Sequence, residues 1–232
     1  MTAKTIIITG AAGGLGSALS AVAVEQGWNV VMLDNDRRGL EQAYDRAENS
    51  GPGLVALYPL DLAGAGPDDY EALLQTVLSE FGPVDALVHC AARFDSLTPL
   101  EHVQPHDWLG HIQVNLNAAW LLSASSLSLL RETQGRLVFL LEDLDKVEGA
   151  LWGPYGVAKH ALKALVNQFA LENKNSGVEV RGVDPGPMSS ALRARAFHSE
   201  NPEAQPQPLA AAREILAYVS GDRNWPEVLV KL

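Results

Sequence analysis

The segment KTIIIT at Lys4–Thr9 runs without a break into TGAAGGLG at Thr9–Gly16, and from Gly14 onward the apolar residues take up helical spacing. Few backbones accommodate that succession. A run of isoleucines favours a strand buried on both faces. The glycines permit a tight turn with no Cβ in the way, and the periodic segment continues as a helix. Where a strand feeds a helix through glycines, backbone N–H groups at the helix N-terminus converge on a bound anion, as they do for the pyrophosphate of a dinucleotide.

The rest of the chain repeats this alternation. Apolar, β-branched runs predict strands near Lys4–Thr9, Asn29–Leu33, Leu54–Tyr58, Val84–His89, Arg136–Leu141, Val178–Val183 and Glu227–Val230. Segments with a 3.6-residue period predict helices near Gly14–Gln26, Arg37–Asn49, Asp68–Phe81, Pro105–Leu130, Pro154–Asn173 and Leu209–Val219. The order is βαβαβ twice over. Right-handed crossovers then predict an α/β fold, a doubly wound, seven-stranded parallel sheet with helices on both faces, of Rossmann type. Its ligand crevice should lie beyond the C-terminal ends of the strands, where the winding reverses. Neither a shift in composition nor an internal repeat marks a second unit, so residues 1–232 are expected to form one domain. The segment HSENPEAQPQP at His198–Pro208 carries three prolines; it reads as a lid over the site or as a plain surface connection.

Composition removes several function classes. A net charge of −11 opposes a nucleic-acid partner. No apolar run approaches bilayer length, and the opening MTAKTIIITG offers no export signal, so a cytoplasmic protein with no membrane partner is expected. Cys90 is the only cysteine, which excludes an intrachain disulfide. His102, His106 and His111 do not repeat on one helical face, so no metal site is expected.

Asp34 ends the second strand about 20 residues after the glycine turn, where a carboxylate can accept hydrogen bonds from the adenosine ribose and repel a 2′-phosphate. NAD(H) is therefore favoured; NADP(H) stays possible because Arg37 and Arg38 follow closely. The spacing of the turn differs by one residue from GxGxxG. It resembles the TGxxxGxG turn of the short-chain dehydrogenase/reductase family, with Gly10, Gly14 and Gly16 in the glycine positions. Tyr155 and Lys159 in YGVAK lie four residues apart on one helical face and match that family's YxxxK motif. Asn115 in QVNLNAAW and Pro185–Gly186 in VDPGPMSS fall in register with its other motifs.

The resemblance runs from Thr9 to Ser190 and implies a nicotinamide-dependent oxidoreductase acting on a small carbonyl or alcohol. It implies that Gly10, Ala12, Gly13, Gly14, Leu15 and Gly16 cradle the pyrophosphate. Asp61–Leu62 would contact adenine, and Cys90, Ala91 and Ala92 would lie beside the adenosine ribose. Pro185 and Gly186 would pack on the nicotinamide, with Ser190 at its carboxamide. Tyr155 would exchange the proton, Lys159 would lower the phenol's pKa and hold the nicotinamide ribose, and Asn115 would anchor a water of the relay.

Two positions depart from the family pattern. Glu142 stands thirteen residues before Tyr155, where the family places a serine that donates to the substrate oxygen. A carboxyl group held protonated by burial beside the cofactor could donate that bond itself; otherwise Glu142 turns to solvent or recognises substrate. Without the serine, a conjugated imine or quinonoid substrate, which needs less oxyanion stabilisation, is also in view. The second departure is HCAA at His89–Ala92 in place of NNAG, which removes asparagine hydrogen bonds that brace neighbouring strands. An alternative to catalysis is an NAD(H)-binding, redox-linked interaction protein. The resemblance also implies a homodimer or homotetramer, and the ending EVLVKL, in place of a Gly-rich tail, counts against the tetramer.

Overall fold

The isoleucine run becomes β1 (Thr5–Thr9), and all five of its residues are buried. Ile6 and Ile8 point into one apolar layer and Ile7 into another, as the two-residue period of a strand requires. A computed structural model describes residues 3–232. After β1 come α1 (Gly14–Glu25), β2 (Asn29–Asp34), α2 (Arg37–Glu48), β3 (Val55–Pro59), α3 (Pro67–Phe81) and β4 (Ala86–His89). The second half contains α4 (Pro105–Ile112), α5 (Ala118–Thr133), β5 (Arg136–Leu140), a four-residue α6 (Leu144–Val147) and α7 (Gly153–Asn173). It closes with β6 (Glu179–Asp184), α8 (Ala191–Ala196), α9 (Leu209–Ser220) and β7 (Leu229–Lys231).

The seven strands form one sheet in the order β3-β2-β1-β4-β5-β6-β7, and every neighbouring pair is parallel. This is the doubly wound Rossmann-type sheet, and its winding reverses between β1 and β4. Buried residues of α1, α2 and α9 pack on the face that holds Ile6 and Ile8. Those of α3, α5 and α7 pack on the face that holds Ile7.

One expected helix is broken. The segment 105–130 is α4, then a π turn over Gln113–Asn117, then α5. Such a turn holds one extra residue and redirects side chains. Here Asn115 Oδ1 accepts from the Arg93 N–H at 2.9 Å, and its Nδ2 donates to the Arg93 carbonyl at 2.8 Å. The break ties the helix to the loop that follows β4. The short α6 and α8 were too brief to leave a periodic signal. The proline-rich segment folds back on the site: Ser189 N–H donates to the Pro206 carbonyl at 2.8 Å, and Arg193 is paired with Glu200 at 2.7 Å.

Candidate active site

A cleft of about 620 Å³ opens beyond the C-terminal ends of β1, β4, β5 and β6. Gly10, Gly13, Gly14, Leu15 and Gly16 line one end. Gly10 has φ +68°, and a Cβ there would lie 2.5 Å from the Ala91 nitrogen; one on Gly16 would collide with the Gly10 carbonyl. The turn therefore tolerates glycine alone at these two positions. Gly13 caps α1 without a side-chain hydrogen bond, and no acidic residue occupies the first turn. Unspent N–H groups at that end suit a pyrophosphate, so the residues present fit a dinucleotide.

Asp34, Asp61 and Leu62 line the same end. Asp34 Oδ2 accepts from the Ala12 N–H at 3.0 Å and Oδ1 from the Asp36 N–H at 3.0 Å, which fixes its carboxylate. Ala12 is outside the lining; its main chain positions Asp34. Arg37 and Arg38 are exposed on the first turn of α2 and do not line the cleft.

Cys90, Ala91 and Ala92 form the wall after β4. The bracing expected of the missing asparagines comes in part from Thr9: its carbonyl accepts from Cys90 N–H and its hydroxyl from Ala91 N–H, both at 3.2 Å. Burial pushes the Cys90 thiol up to about 12, against an opposing pull from Lys159, so it serves as a packing group. His89 is buried outside the cleft, stacks on Phe139 at 4.9 Å and meets the Ser123 hydroxyl at 2.9 Å. Burial, aided by Lys159, lowers its pKa to about 3.

Tyr155 and Lys159 project from one face of α7 into the cleft. The Tyr155 hydroxyl donates to Glu142 Oε2 at 3.0 Å, so Glu142 reaches the phenol while its side chain stays partly exposed. Burial, then the Glu142 charge, then the hydrogen bond to it raise the Tyr155 pKa well above its ordinary value. This is opposite to the lowering expected from Lys159. The ammonium of Lys159 is turned to the Leu140 carbonyl at 2.8 Å and lies 5.6 Å from the Tyr155 ring centroid. Asn115 does not line the cleft; both ends of its amide hold Arg93. Pro185, Gly186 and Ser190 complete the lining, and Ser190 also caps α8 by accepting from the Arg193 N–H at 3.1 Å.

Burial lowers the Lys159 pKa from 10.5 to about 8, with Glu142 and Cys90 opposing. Below pH 8 the ammonium is charged in both folded and unfolded chains, so its desolvation cost is present in full. Between about pH 8 and 10.5 the folded chain gives up the proton first and the cost fades. At about 1.4 kcal/mol per unit the depression is worth about 3 kcal/mol, of which about 1 returns when the Leu140 carbonyl loses its donor. Lys159→Met is therefore expected to be about 2 kcal/mol more stable than wild type at pH 7 and to lose that advantage by pH 10. Urea denaturation at the two pH values checks this; a less stable variant at pH 7 contradicts it.

Sequence reasoning missed the wall around Tyr155. Phe94 and Trp152 stand with ring centroids 5.3 and 5.8 Å from it, and Phe197 lies 5.9 Å from Trp152. Leu151, with φ +75°, turns the chain so that Trp152 enters this cluster. The three aromatic residues come from three loops, and no spacing in the chain links them. Among the described residues there is no helix long and apolar enough to cross a membrane and no cluster of three metal-ligating side chains.

Comparison with known proteins identifies the family. The short chain dehydrogenase family model matches residues 4–201. The uncharacterized oxidoreductase YciK of Escherichia coli K12 is 26% identical over 94% of this chain and 86% of its own. L-fucose dehydrogenase of Oryctolagus cuniculus is 30% identical over 91% of this chain and 70% of its own. A short chain dehydrogenase from Escherichia coli CFT073, solved with NADPH, superposes with a TM-score of 0.90 at 25% identity, covering 100% of this chain and 96% of that one. With a glycine-lined turn, a Tyr-Lys pair on one helical face and a family match over most of its length, this chain belongs to the short-chain dehydrogenase family of oxidoreductases.

Proposed function

We propose that the chain moves hydride between a nicotinamide dinucleotide and a carbonyl carbon, works best as a carbonyl reductase, and prefers NAD(H). The observation that carries this reading is the buried, protonated Tyr155 hydroxyl standing in the same cleft as the glycine turn. A phenol that holds its proton is an acid before it is a base. When bound, the nicotinamide supplies a hydride to the carbonyl carbon. Tyr155 gives its proton to the oxygen as that oxygen becomes negative, and the Lys159 ammonium, on the same helical face, offsets the charge left on the phenolate. Glu142 takes the place of the family's serine and holds the phenolic hydrogen in the resting site. Asn115 acts at a distance, by fixing the Arg93 segment of the wall.

Preference for NAD(H) is supported by the Asp34 and Asp61 carboxylates in the adenosine end and by the outward position of Arg37 and Arg38. A 2′-phosphate beside Asp34 meets like charge costing several kcal/mol, so kcat/KM with NADH should exceed that with NADPH by roughly 100-fold. Asp34→Ser should narrow the ratio to within about tenfold, chiefly by improving NADPH. The test is NADH oxidation with a panel of ketones and aldehydes, followed by deuterium transfer from 4-deuterated NADH to the carbinol carbon. No transfer to any carbonyl, with NADH bound, would leave a dinucleotide-binding interaction protein as the better reading. A homodimer is supported by Trp120 on α5 and Val157 and Leu171 on α7, all exposed on the helices through which the family pairs its subunits. A lone cysteine fits a reducing, cytoplasmic setting.

A further inference from the structure

Five cationic side chains line the cleft: Arg93, Lys146, Lys159, Arg193 and Arg195. Three have partners that use up their charge or direct it inward. Arg93 is paired with Asp95 at 2.9 Å and Asp107 at 3.2 Å, Arg193 with Glu200 at 2.7 Å, and Lys159 bonds the Leu140 carbonyl. Lys146 and Arg195 have no carboxylate in ion-pair contact among the described residues, in a chain with 28 acidic and 17 basic residues. Both border the aromatic wall beside Tyr155. Lys146 Nζ stands 4.3 Å above the Phe197 ring, and Arg195 Nη1 donates to the Phe94 carbonyl at 2.8 Å. That bond steadies the guanidinium and leaves its other N–H groups free to bind.

From the phenol, the way to Lys146 crosses the rings of Trp152 and Phe197, whose centroids follow one another at 5.8 and 5.9 Å, and Arg195 is anchored at Phe94, whose ring centroid lies 5.3 Å from that of Tyr155. Apolar surface next to the acid, bordered by positive charge that no ion-pair contact among the described residues neutralises, with Asp95 acting on Arg195 only at longer range, recognises a molecule with an apolar body and an anionic end. We propose that the substrate carries a carboxylate separated from its reducible carbonyl by an apolar spacer of several carbons, with Lys146 and Arg195 receiving the carboxylate. This deepens the carbonyl-reductase reading and rests on it.

The test uses two matched pairs of probes. Turnover of 8-oxononanoate, whose carbonyl and carboxylate are separated by six methylenes, is compared with that of its methyl ester. Binding of the inert 4-phenylbutanoate is compared with that of 4-phenylbutanamide by isothermal titration, with and without NADH. The carboxylates are expected to be favoured by roughly 30-fold, as charge-assisted bonds to two exposed cations allow, and the preference should shrink as salt is raised. Lys146→Gln and Arg195→Gln together should bring each ratio close to one, whereas Arg195→Lys, which keeps the charge, should retain most of it. Equal binding of acid and amide overturns the proposal, as does a preference that survives the double substitution. Carboxylate binding that NADH abolishes overturns it too, because the cations would then belong to the cofactor's phosphates. Selective carboxylate binding without turnover of either ketone leaves the anion site standing and removes the carbonyl-reductase reading.

Discussion

Replacing Tyr155 by phenylalanine is expected to lower kcat/KM for carbonyl reduction by about 1000-fold, within the range for loss of a positioned general acid, while NADH binding stays within a few-fold of wild type. The substitution removes one oxygen from a ring that is 2% exposed. Its contacts with Phe94 and Trp152 are made through the ring, so the wall should persist. The hydroxyl's one hydrogen bond goes to Glu142, which is partly exposed and can turn to water when that bond is lost. The loss should therefore fall on the chemical step, in kcat, with the fold unchanged by circular dichroism. NADH fluorescence titration and steady-state kinetics separate the two. A variant keeping more than about a tenth of the rate would show that another group delivers the proton.

The fold was legible because buried parallel strands are written as short apolar runs and their crossover helices as periodic ones. β1 and β2 read as TIIIT and NVVMLD, and nothing but a two-sided burial calls for such runs. The cofactor end was legible for a related reason: the steric demands at Gly10 and Gly16 act within a few residues of chain. What the sequence concealed arises from contacts between distant segments. The π turn at Gln113–Asn117 exists because Asn115 meets the backbone of Arg93, 22 residues away. Periodicity alone reads straight through it. The Tyr155 pKa went the other way from expectation because the phenol is buried and Glu142 reaches it, while the Lys159 ammonium bonds the end of β5. The motif gives the spacing of Tyr and Lys; the direction of a flexible lysine is decided by the nearest unsatisfied carbonyl.

Glu142→Ser is expected to raise kcat/KM for an unactivated ketone by about 100-fold at pH 8, an effect on the scale of one oxyanion donor. Two of the three causes that hold the Tyr155 proton come from Glu142, its charge and its hydrogen bond. A phenol that has given up its proton beside a carboxylate faces like charge in a buried setting, which makes the transfer costly. Serine removes the charge and offers a neutral O–H that can point at the reacting oxygen. The comparison is kcat/KM for one ketone at saturating NADH and pH 8. A serine variant that is slower than wild type would mean that the carboxyl group itself binds substrate or passes the proton. Glutamine at 142 then decides between those two, since it keeps a donor of similar length and cannot exchange a proton.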